Sequence, residues 1–206
     1  MIMKKTLVYL RYILPACFAI LTVAAAFIPC VAFTLEMNKL ETRSLVAVMS
    51  DAWKQCRHYL SGASSMQSDA TAAFSLWITV GIIVTVIATV AIVGLSVWSS
   101  VMSVRVIRPG TDDETTVNAR RLLCRVFPGK VWYLVANLLI IIPAAFPNYM
   151  AIIYTRVLYL STEVKNGLMW IVIAFAVIEV ALVIVSARYE KELDMDVFAI
   201  RTQDEE

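Results

Sequence analysis

One acidic residue, Glu179, interrupts a stretch of 22 residues that otherwise carries no charge, from Asn166 to Ala187. If residues 167–187 cross a bilayer as a helix, Glu179 lies about 3 Å from the midplane, at about 1.5 Å of rise per residue. A charge at that depth is costly, so intramembrane acids face other helices and take a partner. Two interpretations follow: a proton- or cation-responsive site in a transport path, or a protonated carboxyl that joins helices by hydrogen bonds.

Two asparagines in another apolar stretch are the next polar residues that could share this site. Asn137 is a candidate partner for Glu179, and Asn148 follows Pro147, whose missing N–H leaves a backbone carbonyl for Asn148 to bond. An asparagine hydrogen bond between helices contributes about 1 kcal/mol, so a packing role also fits. The possible transport or packing site therefore consists of Glu179, Asn137 and Asn148.

Nucleophilic and metal-binding residues are few and isolated. The four cysteines form no C-x-x-C pair and His58 is the one histidine, so the sequence predicts neither a catalytic nor a metal site. Cys30 and Cys56 could both reach an oxidising side; a disulfide is one alternative, and the spacing favours two separate thiols. We expect a protein that is not an enzyme and that has no cofactor and no metal.

The uncharged stretches that must position these residues are long enough to cross a bilayer. They run over Tyr12–Leu35 (24 residues), Ala70–Val104 (35), Val131–Thr155 (25) and Asn166–Ala187. A bilayer core needs about 20 apolar residues in a helix, because the backbone must satisfy its own hydrogen bonds there. The predicted fold class is all-α: an integral membrane bundle of four transmembrane helices, with spans at about 12–35, 74–98, 131–155 and 167–187.

Composition supports a single membrane domain. The chain of 206 residues is 60% hydrophobic and 17% charged, whereas soluble domains are about 45–50% apolar and about 25% charged. The segments between the spans are an outer loop at 36–69, an inner loop at 105–130 and a tail at 188–206. None of them is long enough to build an independent core, which excludes an appended soluble enzyme.

The distribution of basic residues predicts the orientation. Twelve lysines and arginines lie in the N-terminal segment, the 105–130 loop and the tail, against six in the other loops. Because cytoplasmic segments retain Lys and Arg, we expect a multi-pass protein of the cell membrane with both termini cytosolic. The same rule explains the inner-loop arginines without nucleic acid, and we expect them to contact anionic lipid. These residues are Arg105, Arg108, Arg120, Arg121 and Arg125.

Local patterns predict two short amphipathic helices and a packing face. Apolar residues recur at helical spacing over Ser44–Leu60, where Ser44 can cap the helix, and a second helix is predicted near 112–126. The first could lie flat on the membrane, cap the bundle or dock on a partner. Pro143 and Pro147 predict a kink in the third span. Small residues at helical spacing predict close helix packing: Ala19, Thr22, Ala26, Gly81, Thr85 and Thr89.

In topology alone, the layout of four spans with a long first outer loop and a short second one resembles claudin-like and other tetraspan proteins. The first loop contains Trp53 and Cys56 but lacks the G-L-W-x-x-C…C pattern of claudins. The resemblance therefore assigns no residue and no function.

These observations lead to two functional hypotheses. The first is a non-enzymatic accessory, scaffolding or interaction subunit of a membrane complex, because packing faces are present and a nucleotide, redox or metal signature is not. It would associate with itself or with a partner membrane protein. The alternative is a small oligomeric channel or transporter with Glu179 in its conduction or proton-coupling path.

Overall fold

The computed structural model describes residues 2–35, 41–60, 69–107, 114–157, 162–193 and 195–198. The protein is mostly helical. Its helices are α1 (Ile2–Ala25), α2 (Leu45–Leu60), α3 (Asp69–Ile107), α4 (Glu114–Val126), α5 (Lys130–Leu138), α6 (Ile141–Ala144), α7 (Phe146–Val157) and α8 (Gly167–Glu192). Its strands are β1 (Val31–Leu35), β2 (Glu41–Arg43) and β3 (Thr162–Asn166).

Three helices are long and apolar enough to cross a membrane: Met3–Ala25, Ala72–Ile107 and Gly167–Glu192. A fourth crossing is added if α4 and the segment Lys130–Ala144, bent by 69° relative to each other, count as one span. The prediction of a protein that crosses a membrane is therefore supported by three to four helices. The second predicted span continues beyond residue 98, since α3 runs to Ile107.

The third predicted span, 131–155, is not one helix. It consists of α5, α6 and α7, with breaks at Leu139–Ile140 and at Ala145. Proline accounts for the interruption, because it has no N–H to donate and is tolerated only in the first turn of a helix. Pro143 lies in the four-residue α6, and Pro147 is the second residue of α7. The helix is interrupted in the region of the predicted kink, while Leu139, Ile140 and Ala145 keep right-handed helical backbone angles.

The first predicted span is too long, and the all-α prediction is wrong for three short segments, which form strands. Helix α1 ends at Ala25, ten residues before the predicted end, and Val31–Leu35 form β1. Strand β1 is central in a three-stranded antiparallel sheet of order β2-β1-β3. In the sequence, the apolar residues of β1 look like a continuation of the span. Hydropathy reports only the side chains and does not show that the backbone of β1 bonds to β2 and β3.

Helix α2 confirms the amphipathic helix predicted over Ser44–Leu60. The Ala47 N–H donates to Ser44 Oγ at 3.2 Å, which caps the N-terminus. The apolar face of α2 is buried in protein, which favours the capping interpretation over a helix lying free on the membrane. Helix α4 confirms the second local helix and buries Ala119 and Leu123. Residues 108–113, which include the start of the helix predicted near 112–126, lie outside the described residues, as do residues 61–68 of the outer loop and the end of the tail.

The contacts divide the chain into two compact units. Unit 1 comprises Met1–Ala19, Ile92–Leu139 and Ala174–Glu206, and unit 2 comprises Ile20–Ala91 and Ile140–Ile173. Unit 2 contains the sheet, α2 and α7. Unit 1 has an apolar cluster that holds α4 and residues 195–198 against the ends of longer helices. Its buried members are Val8, Tyr12, Val106, Ile107, Ala119, Leu123, Phe127, Tyr133 and Val197.

Within unit 2, Gly81 allows α7 to approach α3 closely. A Cβ at Gly81 would collide with the ring of Tyr149, whose Oη donates to the Trp77 carbonyl at 2.7 Å. Of the other predicted packing residues, Ala19, Thr22 and Thr85 are buried. Ala26, Gly81 and Thr89 are half-buried.

Candidate functional site

Helix α8 places Glu179 on a buried polar face. Glu179, Ser186 and Glu190 are separated by seven and four residues, which puts them on one side of a helix with 3.6 residues per turn. All three are at least nine-tenths buried. Another face of α8 exposes apolar side chains, among them Trp170, Val177 and Ile184, as a lipid-facing surface requires.

Helix α3 presents a row of serine hydroxyls in the same unit. Ser96, Ser99, Ser100 and Ser103 follow the spacing i, i+3, i+4, i+7, and all four are buried. Ser99 Oγ donates to the Ser96 carbonyl at 3.1 Å, the local bond that helical serines commonly make. The sequence analysis missed this face, although four serines in eight residues of an apolar helix are visible in the sequence.

Helix α5 contributes an amide and a phenol. Ser96 Oγ donates to Asn137 Oδ1 at 2.9 Å, and Asn137 lies beside the Glu179 carboxyl. Tyr133 lies beside Ser99 and Ser100 and is close enough to Glu179 for their charges to interact. The structure thus brings together Asn137 and Glu179, two of the three residues of the predicted site.

Helix α1 supplies a buried cation that the sequence analysis assigned to the basic N-terminal segment. Arg11 is 2% exposed, and its Nη1 pairs with Glu190 Oε1 and lies 3.5 Å from Ser186 Oγ. The Arg11 charge also acts on Glu179. The hydroxyl of Tyr12 donates to Glu190 Oε1 at 3.3 Å.

A second cation completes the ionic part of the site. Lys130 Nζ lies 2.7 Å from Glu190 Oε2 and 2.5 Å from Asp196 Oδ2. The charges of Arg11 and Lys130 therefore balance those of Glu190 and Asp196. An ionised Glu179 would add a negative charge for which this network holds no further cation.

Several buried polar atoms of this site make no hydrogen bond to any described residue. They are Tyr133 Oη, Ser100 Oγ, Ser103 Oγ, Asn137 Nδ2, and Nε and Nη2 of Arg11. An unpaired buried polar group costs about 1–3 kcal/mol, and such groups usually bond to ordered water or a ligand. We call Arg11, Ser96, Ser99, Ser100, Ser103, Tyr133, Asn137, Glu179, Ser186 and Glu190 the polar core.

Asn148, the third residue of the predicted site, belongs to unit 2 and has a structural partner. Asn166 Nδ2 donates to Asn148 Oδ1 at 2.6 Å and to the Ala144 carbonyl at 2.8 Å. Asn166 Oδ1 accepts from the Met169 N–H at 3.1 Å and so caps α8. This contact fits the packing alternative for Asn148, and a bond from its amide to the carbonyl freed by Pro147 stays a prediction.

The arginines predicted to contact anionic lipid are mostly exposed. Arg105, Arg121 and Arg125 are exposed, Arg120 is half-buried, and Arg108 lies outside the described residues. Their exposure is compatible with a lipid surface, and the contact itself stays a prediction.

The cysteines are free thiols in the structure. Cys56 is buried on α2 and Cys30 is half-buried, and the two are not joined in a disulfide. Burial raises the pKa of the Cys56 thiol, which disfavours the reactive thiolate. Among the described residues, His, Cys, Asp and Glu form no group of three or more that would suit a metal ion.

The chain matches no protein-family model, no curated protein and no solved structure. Function therefore has to be argued from the chemistry of the polar core.

Proposed function

We propose that this protein is a small membrane transporter or channel subunit in which Glu179 binds a proton or a small cation during conduction. The observation that supports the proposal is the polar core: a buried acid in an apolar helix, met by polar groups from α1, α3 and α5. Ionisable residues inside membrane helices commonly mark ion paths and proton relays.

The extent of the polar core favours a path over a simple helix contact. A carboxyl that only joins two helices needs one hydrogen-bonding partner. Here polar residues lie at several depths on α3, α5 and α8, and part of them have unpaired atoms. Such a set keeps its polar atoms satisfied only if water or a bound species supplies the missing partners.

The same proposal includes a bundle of four crossings with residues 130–157 as the third. Lys130 contacts Glu190 near the C-terminal end of α8. Val157 is followed within five residues by β3, which leads directly into the N-terminal end of α8. Residues 130–157 are also long enough for one crossing, which needs about 20 residues of helix.

The proposed location is the cell membrane, and the proposed orientation has both termini in the cytosol. Of the described lysines and arginines, ten belong to unit 1 and five to unit 2. The positive-inside rule assigns the richer set, which includes the N-terminal segment and the 114–130 region, to the cytosol. Labelling of Cys124 from outside intact cells would contradict this orientation.

Flux in proteoliposomes tests the role of Glu179. Replacing Glu179 with Gln keeps the size and the hydrogen-bonding capacity of the side chain but removes the titratable group. We expect Glu179→Gln to abolish pH-dependent flux while the protein still folds. Glu163→Gln, at an exposed position of β3, is the matched control and should transport as the wild type does.

A second function, an accessory or scaffolding subunit, is favoured by a repeat on the exposed face of α8. Trp170, Val177 and Ile184 are exposed at seven-residue spacing, and Ala174 and Ala181 lie exposed between them. Small residues between large ones allow a second helix to approach closely. This face would pair with a second copy or with a partner membrane protein.

The mass of the protein in mild detergent tests the pairing of α8. We expect a homo-oligomer, and Ala174→Leu or Ala181→Leu should shift it toward the monomer because the larger side chain keeps helices apart. Val101→Leu, at an exposed apolar position of α3, is the control. A wild-type protein that is strictly monomeric and carries no other protein would exclude this second function.

A further inference from the structure

We propose that water enters unit 1 along the serine face of α3 and reaches Glu179 from the end that carries Lys130 and Glu190. This inference rests on the proposed function and defines the side from which Glu179 receives its proton or cation.

Polar residues on three helices trace the same route. On α3, Ser103 to Ser96 spans about 10 Å, and on α5, Lys130 to Asn137 also spans about 10 Å. On α8, Glu190 to Glu179 spans about 16 Å, with Ser186 between them. The deep ends of the three series meet, because Ser96 bonds to Asn137 and Asn137 lies beside Glu179. The shallow ends of the α5 and α8 series meet where Lys130 pairs with Glu190.

The unpaired atoms along the route are the evidence for water. The hydroxyls of Ser100 and Ser103 bond to no described residue, unlike that of Ser99, and Ser100 lies beside Tyr133. The Tyr133 hydroxyl and Asn137 Nδ2 are unpaired as well. A buried water makes about three hydrogen bonds and both donates and accepts, so a short chain of waters satisfies hydroxyls and amide together.

The chemistry of the lining favours water over a bare metal cation. The groups that face Glu179 are Arg11 on α1 and Tyr133 and Asn137 on α5. The free atoms of Arg11 and Asn137 are N–H donors, and Asn137 Oδ1 already accepts from Ser96. A metal cation needs oxygen acceptors, whereas water bonds to donors and hydroxyls alike.

Cysteine accessibility tests the route directly. The starting protein is a variant whose four native cysteines are replaced by serine. In it, Ser103→Cys or Ser100→Cys replaces one hydroxyl oxygen of the proposed route by a sulfur that the probe can label. Val101→Cys, an exposed apolar position on the same helix, is the matched control for depth. The probe is a membrane-impermeant, trimethylammonium-bearing methanethiosulfonate, applied separately to each side of sealed vesicles.

We expect Ser103→Cys to react at least about tenfold faster than Val101→Cys, because a thiol in lipid meets no water. The faster reaction should occur only when the probe is applied on the side of the membrane that holds the N-terminus. Ser100→Cys, one turn deeper, should react more slowly than Ser103→Cys. Equal, slow labelling at positions 101 and 103 would overturn the inference. If Ser100→Cys fails to fold, the comparison of 103 with 101 still decides. Labelling is independent of flux: a labelled Ser103→Cys in a protein without Glu179-dependent flux supports the hydrated route and removes only the transport function.

Discussion

At the scale of single residues, the pair of Arg11 and Glu190 holds two charges inside the folded protein. The two side chains are 1% and 0% exposed. Removing one member of a buried pair leaves the other charge uncompensated, at a cost of about 3–5 kcal/mol. We therefore predict that Glu190→Ala lowers the free energy of unfolding by about that amount, measured by thermal or denaturant unfolding in detergent.

Glu192, two residues further along α8, provides the control. It pairs with Lys4 at 2.6 Å, but the two side chains are 39% and 54% exposed. Exposed pairs contribute about 0–1 kcal/mol, so Glu192→Ala should be nearly silent. Equal effects of the two variants would show that the Arg11–Glu190 pair is not buried in the folded protein.

Glu179 and Asn137 could be predicted from the sequence, because each is a polar residue inside an apolar stretch. Arg11 and Glu190 could not be recognised in the same way. Both lie at the ends of apolar stretches, where a charged side chain is ordinarily assumed to reach the interface. Glu190 is contacted by Arg11 of α1 and Lys130 of α5, and such long-range pairing leaves no local pattern.

At the scale of elements, two glycines of α3 give a matched test of helix packing. A Cβ at Gly81 would meet the Tyr149 ring, which is tied by its bond to the Trp77 carbonyl, whereas nothing lies within 4 Å of a Cβ at Gly94. Overpacking costs about 1–3 kcal/mol, while Ala is about 1 kcal/mol better than Gly in a helix. We predict that Gly81→Ala lowers the thermal midpoint and that Gly94→Ala leaves it unchanged or raises it.

The opposite order of the two midpoints would contradict the close approach of α7 to α3 at Gly81.

The third span and the sheet show which elements can be predicted from the sequence. Helices α3 and α8 follow from long apolar stretches, and the interruption of the third span follows from Pro143 and Pro147. Strands β1 and β3 have five residues each and pair across more than 120 residues of chain. In strands this short, the alternation of apolar and polar residues is too brief to distinguish a strand from the end of a span or from a turn.

At the scale of the whole molecule, three to four helices are long and apolar enough to cross a membrane, and the charge distribution supports the proposed orientation. The proposed function depends on the polar core, where residues from α1, α3, α5 and α8 meet although they are far apart in the chain. The convergence explains why a sequence with one conspicuous acid encodes a larger polar site. The proposed role of this site can be tested at a single group, the carboxyl of Glu179.

The central claim is that Glu179 exchanges a proton or cation with the polar core during transport. The most direct measurement is the initial rate of pH change inside proteoliposomes after an imposed gradient, for the wild type, Glu179→Gln and Glu179→Asp. We predict flux for the wild type, a reduced flux for Glu179→Asp, which keeps the carboxyl, and none for Glu179→Gln with its fold intact. Equal rates for the wild type and Glu179→Gln, or no flux from a folded wild-type protein under any gradient, would contradict the claim.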